Sequence, residues 1–154
     1  MAGRFPAFFS LYQMENTRLT FHKEERLKSI KAIASLFQDG NTLLVYPLKF
    51  VWKEYDHGAP VPVQAAFSVS GRNFKKASDR NLLKRRMREA YRLNKHQFYA
   101  MTGERKIIIM HLFIAKEEVP FARINQAMLT GWGKLRKKWA VSGSQIPGEQ
   151  LSNR

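Results

Sequence analysis

The chain has 154 residues, 27 Lys and Arg against 12 Asp and Glu, and a formal charge of +15. That length suits one domain with a real core, and a charge so large repels itself until a polyanion neutralises it, pointing to a phosphate backbone or an anionic membrane. The absence of cysteine excludes disulfides, thiolate zinc sites and cysteine nucleophiles and suits a reducing cytoplasm, and no apolar run approaches a membrane-spanning length, which leaves nucleic acid as the stronger expectation.

The first 18 residues are mildly apolar, but Pro6 and Gln13 interrupt them and no small-residue cleavage site follows, so they read as a flexible arm and not as a signal peptide. A first helix is expected from Phe21 or His22, with Thr20 as candidate N-cap and Glu24 and Glu25 in its first turn. Leu27, Ile30, Ile33, Ala34 and Phe37 form its apolar stripe, and Gly40 suits a left-handed residue after its end. An extended piece over Thr42 to Val45 follows, and Pro47 leads into a β-rich strand from Leu48 to Tyr55. Gly58, Pro60 and Pro62 mark a loop, and a second strand runs from Val61 or Val63 to Ser70.

The segment from Arg72 to Lys95 holds ten basic residues against Asp79 and Glu89, a net charge of +8. From Ser78 it reads as a helix to about Phe98, with Ser78 or Asp79 as N-cap. At about 100° per residue, Arg80, Asn81, Lys84, Arg85, Arg88, Arg92 and Lys95 fall within an arc of roughly 140°. Leu82, Leu83, Met87, Ala90 and Leu93 take the opposite arc, with Arg86 alone among the cations on the apolar side. Such a helix docks on its own protein and presents charge to something anionic. Charged helix faces that serve only solubility mix their signs; this one does not.

The most apolar segment, Arg105 to Ala115, suits a central strand covered on both faces. Pro120 precedes a last helix, Phe121 to Trp139, whose end adds a second basic cluster from Lys134 to Lys138. Residues 140–154 are polar and are expected to be disordered, so the domain is placed at 19–139. The four histidines have no metal-ligand spacing and the acidic residues are scattered, so neither a protein-borne metal site nor a catalytic residue is expected. Glu89 is expected to pair with a nearby arginine on its helix. On these features alone the chain also suits a ribosomal or ribonucleoprotein-assembly protein, or a helix reading the DNA major groove.

The stretch Phe67 to Arg92 resembles the signature of the bacterial ribonuclease P protein family. A Ser-containing strand and a basic loop are followed by Arg80-Asn81, Lys84-Arg85 and Arg88-Glu89 at the family's spacing. The resemblance extends to a helix ending in Phe-x-x-Gly, here Phe37 to Gly40, and to the basic start and isoleucine run of Arg105 to Ile109. It covers about Arg18 to Lys138. The chain departs from the family in a loop one residue longer between Ser70 and Arg80, without the usual glycine near the helix start. It also has Ile33 where the first of two helix aromatics is usual.

The resemblance implies an α/β (α+β) two-layer sandwich like ribosomal protein S5 domain 2, with a four-stranded mixed sheet, about three helices and a left-handed βαβ crossover. It implies a protein subunit that assists removal of the 5′ leader from precursor tRNA. The catalytic ribonuclease P RNA, holding the Mg2+ ions, carries the chemistry. The partners expected are that RNA and precursor tRNA, with no membrane and no DNA. The RNA-binding set is Arg72, Lys75, Lys76, Arg80, Asn81, Lys84, Arg85, Arg88 and Arg92. The leader cleft would hold Phe37 and a strand aromatic, Phe50 or Trp52, with Trp52 favoured.

Overall fold

A computed structural model describes residues 20–143, with side chains as far as residue 139. The arm expected over residues 1–18 and most of the tail expected over 140–154 lie outside the described residues. Four strands, β1 (Asn41–Val45), β2 (Leu48–Glu54), β3 (Val63–Val69) and β4 (Ile107–Phe113), and three helices, α1 (Ile30–Asp39), α2 (Ala77–Met101) and α3 (Phe121–Gly143), follow the expected order. The sheet order is β1-β2-β4-β3. β2 pairs antiparallel with β1 and β4, while β3 lies parallel to β4 and is joined to it through α2.

Alternation along the strands sorts side chains to two faces. Leu48, Phe50, Trp52, Ile107, Ile109 and Phe113 meet α2 and α3 in the main core. Val51, Ile108 and Met110 meet Leu27, Ala32 and Leu36 on the reverse, where α1 is the only helix among the described residues. β4 is therefore buried on both sides, as its unbroken apolar run predicts. β1 ends the sheet, and Leu44 beside its outer edge is 61% exposed.

The N-terminal region differs from expectation. Residues 23–25 form a single 3-10 turn, and the α-helix begins only at Ile30, where the Ser29 hydroxyl accepts from Ala32 N at 3.1 Å. Between them the chain is drawn out to pair with β3, Leu27 N donating to Ala65 O at 2.9 Å. The expected stripe is displaced as a result. Ala32 and Leu36 are buried, Ile33 is half-buried, and Ile30, Ala34 and Phe37 are exposed. Gly40 is extended (φ −73°, ψ 158°), not left-handed. It is needed because a Cβ there would sit 2.3 Å from Leu36 O.

The N-cap of α2 is Lys76, without a side-chain cap, so Ser78 and Asp79 lie inside the first turn. The helix continues past Phe98 to Met101 because Phe98 and Tyr99 are fully buried. Thr102 Oγ1 then donates to Tyr99 O at 2.8 Å, and Gly103 takes the positive φ, 66°, that turns the chain toward β4. α3 runs four residues past Trp139. Trp132 stacks on Phe98 with centroids 4.4 Å apart, one of several ring contacts that lock α2 to α3.

Candidate nucleic-acid interface

The basic helix lies as its periodicity predicts, with Leu83, Met87, Ala90 and Tyr91 fully buried. Asn81, Arg85 and Arg88 are exposed, and Arg80, Lys84 and Arg92 are half-buried. The Asn81 amide has no hydrogen bond among the described residues, so its donors and acceptor remain available beside the cations. Arg92 forms an ion pair with Glu89 one turn back, at 2.5 Å. That bond draws the Glu89 carboxyl below the usual range.

Arg80 has a second task. Its guanidinium donates to Phe74 O at 2.7 Å and Lys75 O at 3.0 Å, bracing the loop between β3 and α2. Within that loop Arg72 N donates to Ser70 Oγ at 3.1 Å, and Phe74 is buried against Phe113. Arg72, Lys75 and Lys76 are left exposed on a backbone held at both ends, continuing the cationic face of α2 onto the loop.

Two cations near this face are spent internally. Arg86, on the apolar side as its position predicts, donates to Val119 O at 2.7 Å and meets Glu118 at 2.8 Å, fastening the β4–α3 loop to α2. Lys95, expected on the cationic arc, is fully buried instead. Its ammonium meets both Glu25 oxygens, at 3.0 and 2.9 Å, and also donates to Thr20 O. Tyr99 Oη donates to the same carboxylate at 2.5 Å. Burial first, then the neighbouring Tyr91 and Glu25, pushes the Tyr99 hydroxyl well above its usual pKa.

The expected cleft pair is not brought together. Phe37 stands on α1, 56% exposed. Trp52 is on the opposite face of the sheet, 8% exposed, with its ring edge-on to Trp139 at 5.4 Å. Phe50, two residues away and on the same face as Trp52, is fully buried beneath Gly131. Neither strand aromatic is open to a ligand.

Other residues occupy the accessible end of the α1 face. Leu44, Lys49, Leu112 and Ser68 form a row across all four strands. Lys49, Ser68 and Leu112 also line a cavity of about 280 Å3 together with Ser70 and Asn73. Beside it, Lys116 shares a depression with Ser70, Arg72 and Asn73. Sequence reasoning missed Lys49, Ser68, Asn73 and Lys116. Strand alternation would have placed Lys49 on the face opposite Leu48 and Phe50, but Lys116 reaches Ser70 only through the fold.

Among the described residues, no three His, Asp or Glu side chains gather in reach of one metal ion. No helix there is long and apolar enough to cross a membrane.

Comparison with known proteins identifies the family and the fold. The model of the family described as Ribonuclease P matches residues 21–136. A ribonuclease P protein component from Porphyromonas gingivalis is 35% identical over 133 residues, covering 85% of this chain and 92% of its own. One from Chlorobium phaeobacteroides is 38% identical over 88 residues, 55% of this chain and 60% of its own. Among solved structures, the Staphylococcus aureus RNase P protein superimposes with a TM-score of 0.57 at 17% identity, over 72% of this chain and 94% of that one. The Thermotoga maritima RNase P protein gives 0.56 at 22% identity, over 69% and 93%.

Proposed function

The chain belongs to the ribonuclease P protein family, and from that membership we propose that it grips the catalytic RNA along α2 and its preceding loop while the leader of precursor tRNA crosses the α1 face of the sheet. It is the protein subunit of ribonuclease P, and its task is tRNA 5′ maturation. The observation that carries the RNA-binding assignment is the cationic surface itself: Arg72, Lys75, Lys76, Asn81, Arg85 and Arg88 exposed on one braced loop and one helix face.

Arginines at helical spacing contact several phosphates at once and displace condensed counterions, which supplies affinity with little sequence preference. Asn81 adds donors and an acceptor that can orient a 2′-hydroxyl or base edge. Arg80 acts mainly by holding the loop, with Lys84 and Arg92 at the margin of the contact.

For the leader, the reading keeps Phe37 and replaces Trp52. An unpaired strand needs an accessible ring for stacking and cations for its phosphates. Exposed Phe37 on α1 supplies the ring, and half-buried Lys49 and exposed Lys116 supply cations in adjoining depressions that share Ser70 and Asn73. The protein binds and orients; the chemistry is assigned to the RNA. Magnesium there would activate water and stabilise the leaving oxygen, with RNA phosphates as the ligands this reading assigns to it. The particle is placed in the cytoplasm, where precursor tRNA is made.

Reconstitution tests the reading. The protein alone should cleave nothing, and with its matching RNA and magnesium it should increase 5′ maturation of precursor tRNA at physiological salt. Failure to stimulate that RNA rejects the proposal.

A further inference from the structure

A second groove lies on the other flank of α2, and nothing in the α1-face reading uses it. It has a volume of about 450 Å3 and runs between the N-terminal segment, the outer edge of β3 and α2, lined by Phe21, Arg26, Lys28, Ala66, Phe67 and Arg88 among others. The volume is within the range of about 300–1,000 Å3 typical of small-ligand sites.

Its walls are held in place from below. The N-terminal segment is fastened at Thr20 and Glu25 by Lys95, and at Leu27 by the backbone bond to Ala65. Arg26 and Lys28 therefore project from an anchored backbone. The Phe21 ring packs edge-on against Phe67 and Tyr91 at 5.6 and 5.4 Å. The Arg26 guanidinium stands over Phe21, 5.7 Å from its centroid, and Phe67 stacks on buried His111 at 4.9 Å. Arg26, Lys28 and Arg88 are all exposed, and none has a carboxylate partner among the described residues. Three cations thus rim two aromatic rings, with an apolar floor of Leu27 and Ala66.

We propose that this groove is a second site for unpaired RNA, taking a nucleotide whose base lies against Phe21 and Phe67 and whose phosphates meet Arg26, Lys28 and Arg88. Cations alone would accept any polyanion. Rings set among them select a strand whose bases are free to stack, since bases within a duplex present no open face. Arg88 belongs to both surfaces, so this site continues the RNA path around α2. The inference rests on the proposed function only in taking RNA as the polyanion at that helix. The unpaired segment could come from the catalytic RNA or from the precursor.

The chain has no cysteine, so Lys28→Cys carries a single thiol for an azidophenacyl crosslinker, used in the reconstituted holoenzyme with either RNA labelled. The expected result is a dominant adduct to an unpaired stretch, and the RNA that carries it identifies the source. The same probe at Asn81→Cys reports on α2. Adducts from position 81 with none from position 28, or with only duplex adducts from 28, overturn this site and leave the α2 reading standing. Loss of adducts at both positions removes the two together.

A second measurement follows the Leu27, Ala66 and Phe67 amides by NMR during titration with an unstructured RNA trinucleotide. Saturable shifts are expected, with affinity about 10-fold weaker in Arg26→Ala/Lys28→Ala, whose side chains are both exposed. Shifts spread over all basic surfaces, or unchanged affinity in the double variant, overturn the proposal.

Discussion

Lys95 Nζ lies 2.9 Å from Glu25 Oε2 with both side chains fully buried, so a residue whose spacing assigns it to the cationic face of α2 turns inward to hold the N-terminal segment. Replacing Glu25 by Gln strands the ammonium without its counter-charge. A loss of about 3–5 kcal/mol is expected in chemical denaturation. The double variant Glu25→Gln/Lys95→Met should recover a large part of it. Equal destabilisation by single and double variants would show that the charge pair is not the source.

Arg85 and Arg80 should fail in different ways. Arg85→Ala removes an exposed cation, so RNA affinity should fall and the slope of log K against log salt should flatten by about 0.7–0.9, with folding stability unchanged. Arg80→Ala also releases the carbonyls of Phe74 and Lys75, so amide exchange across residues 72–76 should accelerate. Arg80→Lys should restore charge without restoring exchange protection. Identical exchange in all variants would remove the bracing role.

Phe37 and Trp52 separate binding from stability. Trp52→Ala should cost about 3–5 kcal/mol of folding free energy, as large-to-small core changes do. Phe37→Ala, more than half exposed, should leave stability within about 0.5 kcal/mol while weakening holoenzyme affinity for precursors with a leader and not for those without. Equal losses on both substrates would remove Phe37 from the leader path.

Much of the fold was legible because its signals are local. The cationic and apolar arcs of α2 follow from helical spacing, and the burial of β4 on both faces follows from its unbroken apolar run. The break before α1 was not legible. Leu27 continues the helical stripe as well as it fits an extended pairing, and its partner Ala65 is distant in sequence. Lys95 was misplaced for the same reason: its position on the helix is right, but the segment that crosses above it arrives from 70 residues away. Trp52 was a different kind of error, because alternation with Leu48 and Phe50 already sends it to the α2 and α3 side.

His111 should make stability depend on pH. Burial among aromatic rings lowers its pKa to about 3, opposed in part by its contact with Ala66 O. Unfolded, the imidazole takes a proton near pH 6.5. Between those values the unfolded chain binds more protons, so stability falls as pH falls, by at most about 1.4 kcal/mol per unit. His111→Met should remove this part of the acid sensitivity. An unchanged difference between stabilities at pH 7 and pH 5 would refute the assignment.

Gly131→Ala should destabilise although alanine is the better helix former by about 1 kcal/mol. A Cβ at this position of α3 would lie 2.4 Å from the Phe50 ring, and overpacking of this kind costs about 1–3 kcal/mol. Pairing it with Phe50→Leu should return part of the loss. A rise in Tm for Gly131→Ala alone would show that the ring moves aside freely.

At the far end of the sheet, β1 has no neighbouring strand on its outer side among the described residues, where the side chains of Leu44 and Tyr46 are also exposed. Such a margin invites a second molecule to add itself. Like charge on every copy, +15 in all, opposes that approach. The property that draws the polypeptide to RNA therefore also guards it from self-association beforehand, and the guard weakens once bound phosphates cancel the charge, when the bulk of the particle must take its place.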